Sequence, residues 1–231
     1  MEKGSKKLGL PLSKEAISAF LRFYDILTET NKVMNLTSIE GEKDTANLHF
    51  LDSIAILNAA DFRNRSVIDV GTGAGFPGIP VKIAEPTVEL TLLDALNKRV
   101  GFLKDACEAT GLSGVRFVHA RAEEASLSKE HREKYDIAVS RAVARMNVLC
   151  ELCMPYVKEG GIFIAMKSTD SEEELSEAEN AIKTLGGRLR GVCDYEIPDT
   201  GVIHRAIVIE KTSMTPAGYP RRNAKIVKAP L

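Results

Sequence analysis

Cysteine is sparse in this chain: Cys107, Cys150, Cys153 and Cys193 are the only four among 231 residues. No signal peptide precedes them, because the N-terminus is polar and basic, so reduced thiols in a cytoplasmic protein are expected rather than a disulfide framework. Cys150 and Cys153 have C-x-x-C spacing, but no second ligand pair accompanies them. On a helix, positions three apart are neighbours on one face, where cysteine packs as a small hydrophobe. No metal site is therefore assigned, and His119 and His131 are read as structural. An excess of either charge is also missing, since 31 basic residues face 32 acidic ones for a net charge of -1. No overall field draws the chain to nucleic acid, and any RNA contact must come from local patches. No apolar run reaches the length of a membrane-spanning helix, so no membrane partner is expected. Internal repeats and long low-complexity linkers are absent as well.

What the chain does have is Val67-Ile68-Asp69-Val70-Gly71-Thr72-Gly73-Ala74-Gly75-Phe76-Pro77-Gly78. A short β-branched run ends beside a carboxylate, and three glycines follow at alternate positions. Without a Cβ they take φ > 0 and let a ligand lie against the main chain. Pro77 suits the first turn of a helix. Strand, glycine turn and helix N-terminus together describe a nucleotide-type cofactor site. A dinucleotide fingerprint needs G-x-G-x-x-G; counted from Gly71 the sixth place is Phe76, and counted from Gly73 it is Gly78. Asp69 favours a cofactor with a cationic amino group, such as S-adenosylmethionine, over a pyrophosphate that it would repel. The next strand ends at Asp94, near the distance expected of a carboxylate that accepts from ribose hydroxyls.

Around this unit the pattern alternates. Strands are expected at 67–70, 88–93, 115–119, 135–140 and 162–166, with helices at about 77–85, 97–110 (stopped by Gly111) and 145–157. Asp170 and Glu172–Glu174 open a further helix at the favourable end of its dipole. Two last strands, 188–196 and 202–210, are separated only by a turn around Pro198-Asp199-Thr200-Gly201, which demands an antiparallel hairpin. The expected class is α/β, a mostly parallel sheet with a C-terminal hairpin. Residues 1–65 form a helical extension, with Ser13 capping a helix and a second helix near 44–58; residues 66–211 form the core, and 212–231 a basic tail, in one globular unit. His49 and Asp52, three apart on that second helix, read on their own as a surface pair. From Lys211 onward the chain has five basic residues and no acid, which suits contact with phosphates or a frayed terminus.

The run Gly71 to Pro80, with Leu92-Leu93-Asp94 and Lys98-Arg99, resembles the small-subunit ribosomal RNA methyltransferase G family, also called glucose-inhibited division protein B. Asn35-Leu36-Thr37, His49 to Ser53, Arg121-Ala122-Glu123-Glu124, Ser140-Arg141-Ala142 and Lys167 extend the likeness over nearly the whole chain. The resemblance implies a class I (Rossmann-like) fold and an S-adenosylmethionine-dependent enzyme that methylates N7 of a guanine in 16S ribosomal RNA, naked or in the 30S subunit. It implies cofactor contacts at Gly71, Phe76, Ala122, Glu123 and Arg141. The glycine turn adds Asp69 facing the amino group directly or through water, Gly73, and Asp94 on the ribose. No catalytic base is expected, because N7 of neutral guanine already exposes a lone pair; Arg141 is a candidate for positioning cofactor carboxylate, base or phosphate. Ser140-Arg141-Ala142-Val143 stands where amine methylases carry Asn/Asp-Pro-Pro-aromatic. Cys150 is nine residues past Arg141, badly placed for a C5 nucleophile. Lys32, Lys98, Arg99, Lys167, Arg205, Arg221 and Arg222 are candidates for an RNA-facing rim. A monomer is expected. The alternatives are a nicotinamide-dependent oxidoreductase and a non-catalytic RNA-binding or regulatory protein on the same fold.

Overall fold

The computed structural model describes residues 1–141 and 143–231; Ala142, part of the Ser140-Arg141-Ala142 signature, lies outside the described residues. Seven strands form one sheet: β1 Ser66–Val70, β2 Glu89–Asp94, β3 Val115–His119, β4 Tyr135–Arg141, β5 Val157–Ser168, β6 Gly187–Glu196 and β7 Ile203–Lys211. Their order is β3-β2-β1-β4-β5-β7-β6. The first five run parallel. β7 enters antiparallel between β5 and β6, so the expected hairpin is present but reaches back into the sheet instead of only extending its edge. β1 has a neighbour on each side and is buried on both faces, which is why its sequence is a continuous apolar run interrupted only by Asp69.

Helices cover the two faces. On one side lie α2 (Lys14–Met34), α5 (Gly78–Ala84) and α6 (Asn97–Thr110), preceded by the short α1 (Glu2–Lys7). Ser13 caps α2 by accepting from the Ala16 N–H, and Gly111 ends α6 at φ 73°, both as the sequence predicts. Phe20, Phe23 and Leu27 of α2 are buried with Phe50 and Phe76, so the extension and the sheet share one core. The opposite face holds α7 (Ala122–Ala125), α8 (Met146–Cys153), α9 (Glu172–Glu177), α10 (Glu179–Thr184) and α11 (Asn223–Lys228). The packing of α7, α8, α10 and α11 buries a second apolar cluster against that face.

Two expectations change. The helix near 44–58 is not regular: α3 (Glu42–Asp44) runs into a π-helical stretch, Thr45–Leu51, then α4 (Asp52–Ala55) and a 3₁₀ turn, Ile56–Asn58. Tertiary contacts override the local helix pattern here, since His49 and Asp52 are buried and must meet fixed partners. The tail is not frayed. Arg221 makes a bidentate pair with the fully buried Glu151, at 2.9 and 2.6 Å, and Ile226 is buried. Arg132 donates to the carbonyls of Thr215 and Tyr219. Lys211, at the start of this basic stretch, is wholly buried and donates to Met154 O while pairing with Glu133. Lys211 and Arg221 are structural ties, which a composition-based reading does not reveal, while Arg222, Lys225 and Lys228 are exposed.

Candidate cofactor and substrate site

The glycine turn sits at the C-terminal end of β1, where open α/β sheets bind ligands. Gly71, Gly73 and Gly75 adopt φ of 73°, 60° and 92°, the left-handed region. The N–H groups of Gly71 and Thr72 both donate to Leu93 O of β2, at 2.9 and 3.1 Å, which fixes the mouth of the turn. A Cβ on Gly73 would meet nothing within 4 Å, so space is open over the turn; one on Gly78 would come within 2.9 Å of Asp69 Oδ2.

Asp69 does not face that open space. Its Oδ2 accepts from Thr72 Oγ1–H at 2.7 Å and from Gly78 N–H at 2.8 Å, and the whole side chain is buried. Burial pushes its carboxyl up to about 6, opposed by those two donors. Asp69 Oδ2 thus braces the turn from beneath, while its Oδ1 is buried with no hydrogen-bond partner among the described residues. Asp94, also buried, braces the turn from the side of β2. Its Oδ2 accepts from Gly73 N–H at 3.0 Å and its Oδ1 from Leu96 N–H at 2.8 Å, with Arg99 at 3.5 Å. Ala122 and Glu123 follow β3 at the start of α7. Tyr156 Oη–H holds the Ala122 carbonyl at 2.6 Å. Glu123 is only 7 % exposed, and its carboxylate has no hydrogen-bond partner among the described residues.

Phe76 points the other way, into a polar ladder that joins the turn to the N-terminal extension. His49 stacks on its ring at 4.3 Å, and the Arg141 guanidinium lies over it at 4.9 Å. Arg141, at the end of β4, donates through Nη1 to Asp52 Oδ2 (2.8 Å) and Leu48 O (3.2 Å), and through Nη2 to His49 Nδ1 (2.9 Å). Since His49 Nδ1 accepts, its proton is on Nε2, which meets Thr37 Oγ1 at 2.7 Å. Burial and the neighbouring Arg141 lower the His49 pKa to about 3, so the ring is neutral. Asp52, 1 % exposed, also accepts from Tyr195 Oη–H (2.9 Å) and His204 Nδ1–H (2.8 Å) of the hairpin. Burial acts to raise its pKa, but the bonds from His204 and Arg141 prevail and hold it below the usual carboxylate range. The surface-pair reading of His49 and Asp52 is thus corrected. Tyr195 and His204 were missed because residues about 150 positions from Asp52 are joined to it only by the hairpin's return. Arg141 is engaged by Asp52, Leu48 and His49, and these contacts tie Phe76 to the extension.

Beside this ladder lies a cleft of about 570 Å³ lined by Leu48, Asp52, Arg141, Met166, Glu174 and His204, among others. It opens at the ends of β4 and β5, with Lys167 on its floor. Lys167 donates to Ala144 O and to Glu174 Oε2, each at 2.7 Å. Of the RNA-rim candidates, Lys167, Arg205 and Arg221 are engaged in ion pairs at 2.7, 2.6 and 2.6 Å and largely buried. Lys98 and Arg222 remain exposed. Cys107 and Cys150 are buried, which pushes both thiols up to about 12 and leaves them unreactive. Cys150 and Cys153 pack in the second core. Among the described residues no group of three or more His, Cys, Asp or Glu is arranged to hold a metal ion, and no helix is long and apolar enough to cross a membrane.

The donor set fits S-adenosylmethionine. The space above Gly73 is open, so a ligand would lie against the backbone there, and the carboxylates of Asp94 and Glu123 would offer acceptors to ribose hydroxyls and cationic groups. A pyrophosphate would meet two carboxylates. The comparisons agree. Residues 16–198 match the family model described as rRNA small subunit methyltransferase G. The chain belongs to that family. It is 48% identical to the ribosomal RNA small subunit methyltransferase G of Alkaliphilus oremlandii, over 100% of this chain and 97% of the relative, and 44% identical to that of Clostridium perfringens over the same shares. The fold is that of class I methyltransferases. TrmN from Thermus thermophilus superposes with a TM-score of 0.54 at 24% identity, over 70% of this chain and 48% of that one. M. jannaschii TYW2, solved in complex with AdoMet, gives 0.56 at 14% identity over 75% and 79%. As a methyltransferase G family member the chain is an S-adenosylmethionine-dependent enzyme, and no observation favours the oxidoreductase or non-catalytic alternatives.

Proposed function

We propose that this methyltransferase modifies N7 of a guanine in 16S ribosomal RNA, and that the target nucleotide enters the cleft between the ends of β4 and β5 and the N-terminal extension. The observation that carries the reading is the ladder from Phe76 through His49 and Arg141 to Asp52. It joins the glycine turn to the wall of the cleft, so a bound cofactor and an incoming base meet across a preorganised boundary. Gly71, Gly73, Asp94, Ala122 and Glu123 line the cofactor side in this reading. Phe76, Arg141 and Asp69 support it from behind.

Bound there, S-adenosylmethionine supplies an electrophilic methyl group, and the N7 lone pair of neutral guanine is the nucleophile. No side chain has to remove a proton, which accords with the neutral His49 and the fully bonded Asp52. The chain's contribution is alignment and exclusion of water by Leu48 and Met166. Exposed Lys98 and Arg222 take RNA phosphates, and binding weakens as salt rises. We further propose a cytoplasmic monomer acting where small subunits mature. Mass mapping of rRNA from cells with and without the protein tests the reading: one N7-methylguanine of the small subunit is expected to vanish with the gene, and an unchanged map would refute it.

A further inference from the structure

We propose that Glu174 selects guanine, by accepting hydrogen bonds from the N1–H and N2–H groups on the base's Watson–Crick edge. The inference rests on the proposed reading of the cleft as the target-base site. Glu174 stands in the first turns of α9 and lines that cleft. Its Oε2 is fixed by Lys167 Nζ at 2.7 Å and by the Met146 N–H at 3.1 Å. Its Oε1 has no hydrogen-bond partner among the described residues, and the side chain is 26% exposed, turned to the cleft. One oxygen is anchored and the other is left to accept.

The chemistry of the four bases does the rest. Guanine alone presents two adjacent donors on its Watson–Crick edge. Adenine and cytosine present a ring-nitrogen lone pair there, which a carboxylate repels. Guanine seated with this edge on Glu174 leaves N7, on its other edge, free to face the cofactor side. Leu48 and Met166 supply apolar surface to the ring. Transfer leaves the purine with one positive charge, because the N7 lone pair forms the new bond and the sulfur–carbon pair returns to sulfur. A carboxylate held against N1–H and N2–H favours that charge as it develops, so Glu174 acts on turnover as well as on selection.

The test compares GMP with IMP, which lacks the 2-amino group, by calorimetric titration of the full-length protein with S-adenosylhomocysteine present. Wild type is expected to prefer GMP by about tenfold, the value of one lost charge-assisted hydrogen bond. In Glu174→Gln the amide oxygen keeps Lys167 and Met146, so the NH₂ group turns to the cleft and donor meets donor; the preference is expected to fall within about twofold. Glu174→Ala serves as a second variant, and thermal unfolding verifies that both are folded. Methyl transfer to undermethylated small-subunit RNA is followed with the same preparations. Wild-type transfer together with a GMP preference unchanged in both variants overturns the role of Glu174 alone. A wild type that binds the two nucleotides alike, or binds neither, also overturns it. Absence of transfer to any guanine by wild type overturns the reading beneath it and this inference together.

Discussion

Asp52→Ala is the sharpest single perturbation of this structure. The carboxylate is almost wholly buried and accepts from Arg141, Tyr195 and His204, three donors from three separate parts of the sheet. Hydrogen bonds to a charged group contribute about 1.5–3 kcal/mol each. Burying the carboxylate costs several kcal/mol, which the truncation relieves. What remains is the loss typical of breaking a buried pair from one side, about 3–5 kcal/mol, because Arg141 and His204 lose the carboxylate that neutralises them. For a chain of this length that corresponds to a fall in Tm on the order of 10 °C. Asp52→Asn keeps the shape but turns an NH₂ group onto the donors, so it is expected to lose nearly as much. Urea unfolding of the three proteins across pH is the assay. The sign follows from two shifts. Asp52 is held low, so its contribution is full above about pH 4 and is lost as pH falls through its depressed folded value. His204 is held high, by the Asp52 hydrogen bond against burial, so its contribution is full below about pH 6.5 and fades as pH rises through its folded value. The penalty for Asp52→Ala therefore peaks between these limits and shrinks toward alkaline pH. A penalty below about 1 kcal/mol at the peak, or one that grows from neutral to alkaline pH, would refute the network as described.

Other consequences are as direct. His49 is neutral when folded and titrates near 3, whereas the unfolded ring protonates near its ordinary value, so acid between the two removes on the order of 4 kcal/mol of stability. His49→Gln is expected to flatten that part of the pH–stability curve, and an unchanged slope would count against the buried ring. Gly71 is at φ 73° with Val143 2.8 Å from any added Cβ; Gly71→Asp should abolish S-adenosylmethionine binding in calorimetry while far-UV dichroism stays native, and retained binding would move the site elsewhere. Arg221→Ala leaves Glu151 buried and unpaired and costs about 3–5 kcal/mol. Limited proteolysis should then cut the chain after Lys211 in the variant and spare it in wild type.

The alternation of apolar runs with glycine turns made the sheet, its first five parallel strands and the closing hairpin legible, because strand and helix periods are local properties. Local chemistry also announced the glycine turn, the Ser13 cap and the Gly111 stop. The reach of sequence ended where a side chain has two possible neighbours. Asp69 borders the turn in sequence, but only the fold shows that Thr72 and Gly78 claim its Oδ2 from below and that its Oδ1 is left without a partner among the described residues. Arg141 looked free because its partners lie about 90 residues earlier in the chain. Arg221 in the basic tail looked available to RNA because Glu151, its partner, is hidden in α8.

By itself the sequence determined the α/β class, the position of the cofactor turn and the family to which the chain belongs, since these depend on periodicity, on glycines that tolerate positive φ, and on motifs read in order. Only the tertiary structure decided which charged groups face each other and which are left without a partner. Burial makes an unpaired charge costly, so Asp52 and Glu151 take donors that are near in space, and nearness in space across β4, β7 and the N-terminal extension is not written in any one stretch of the chain.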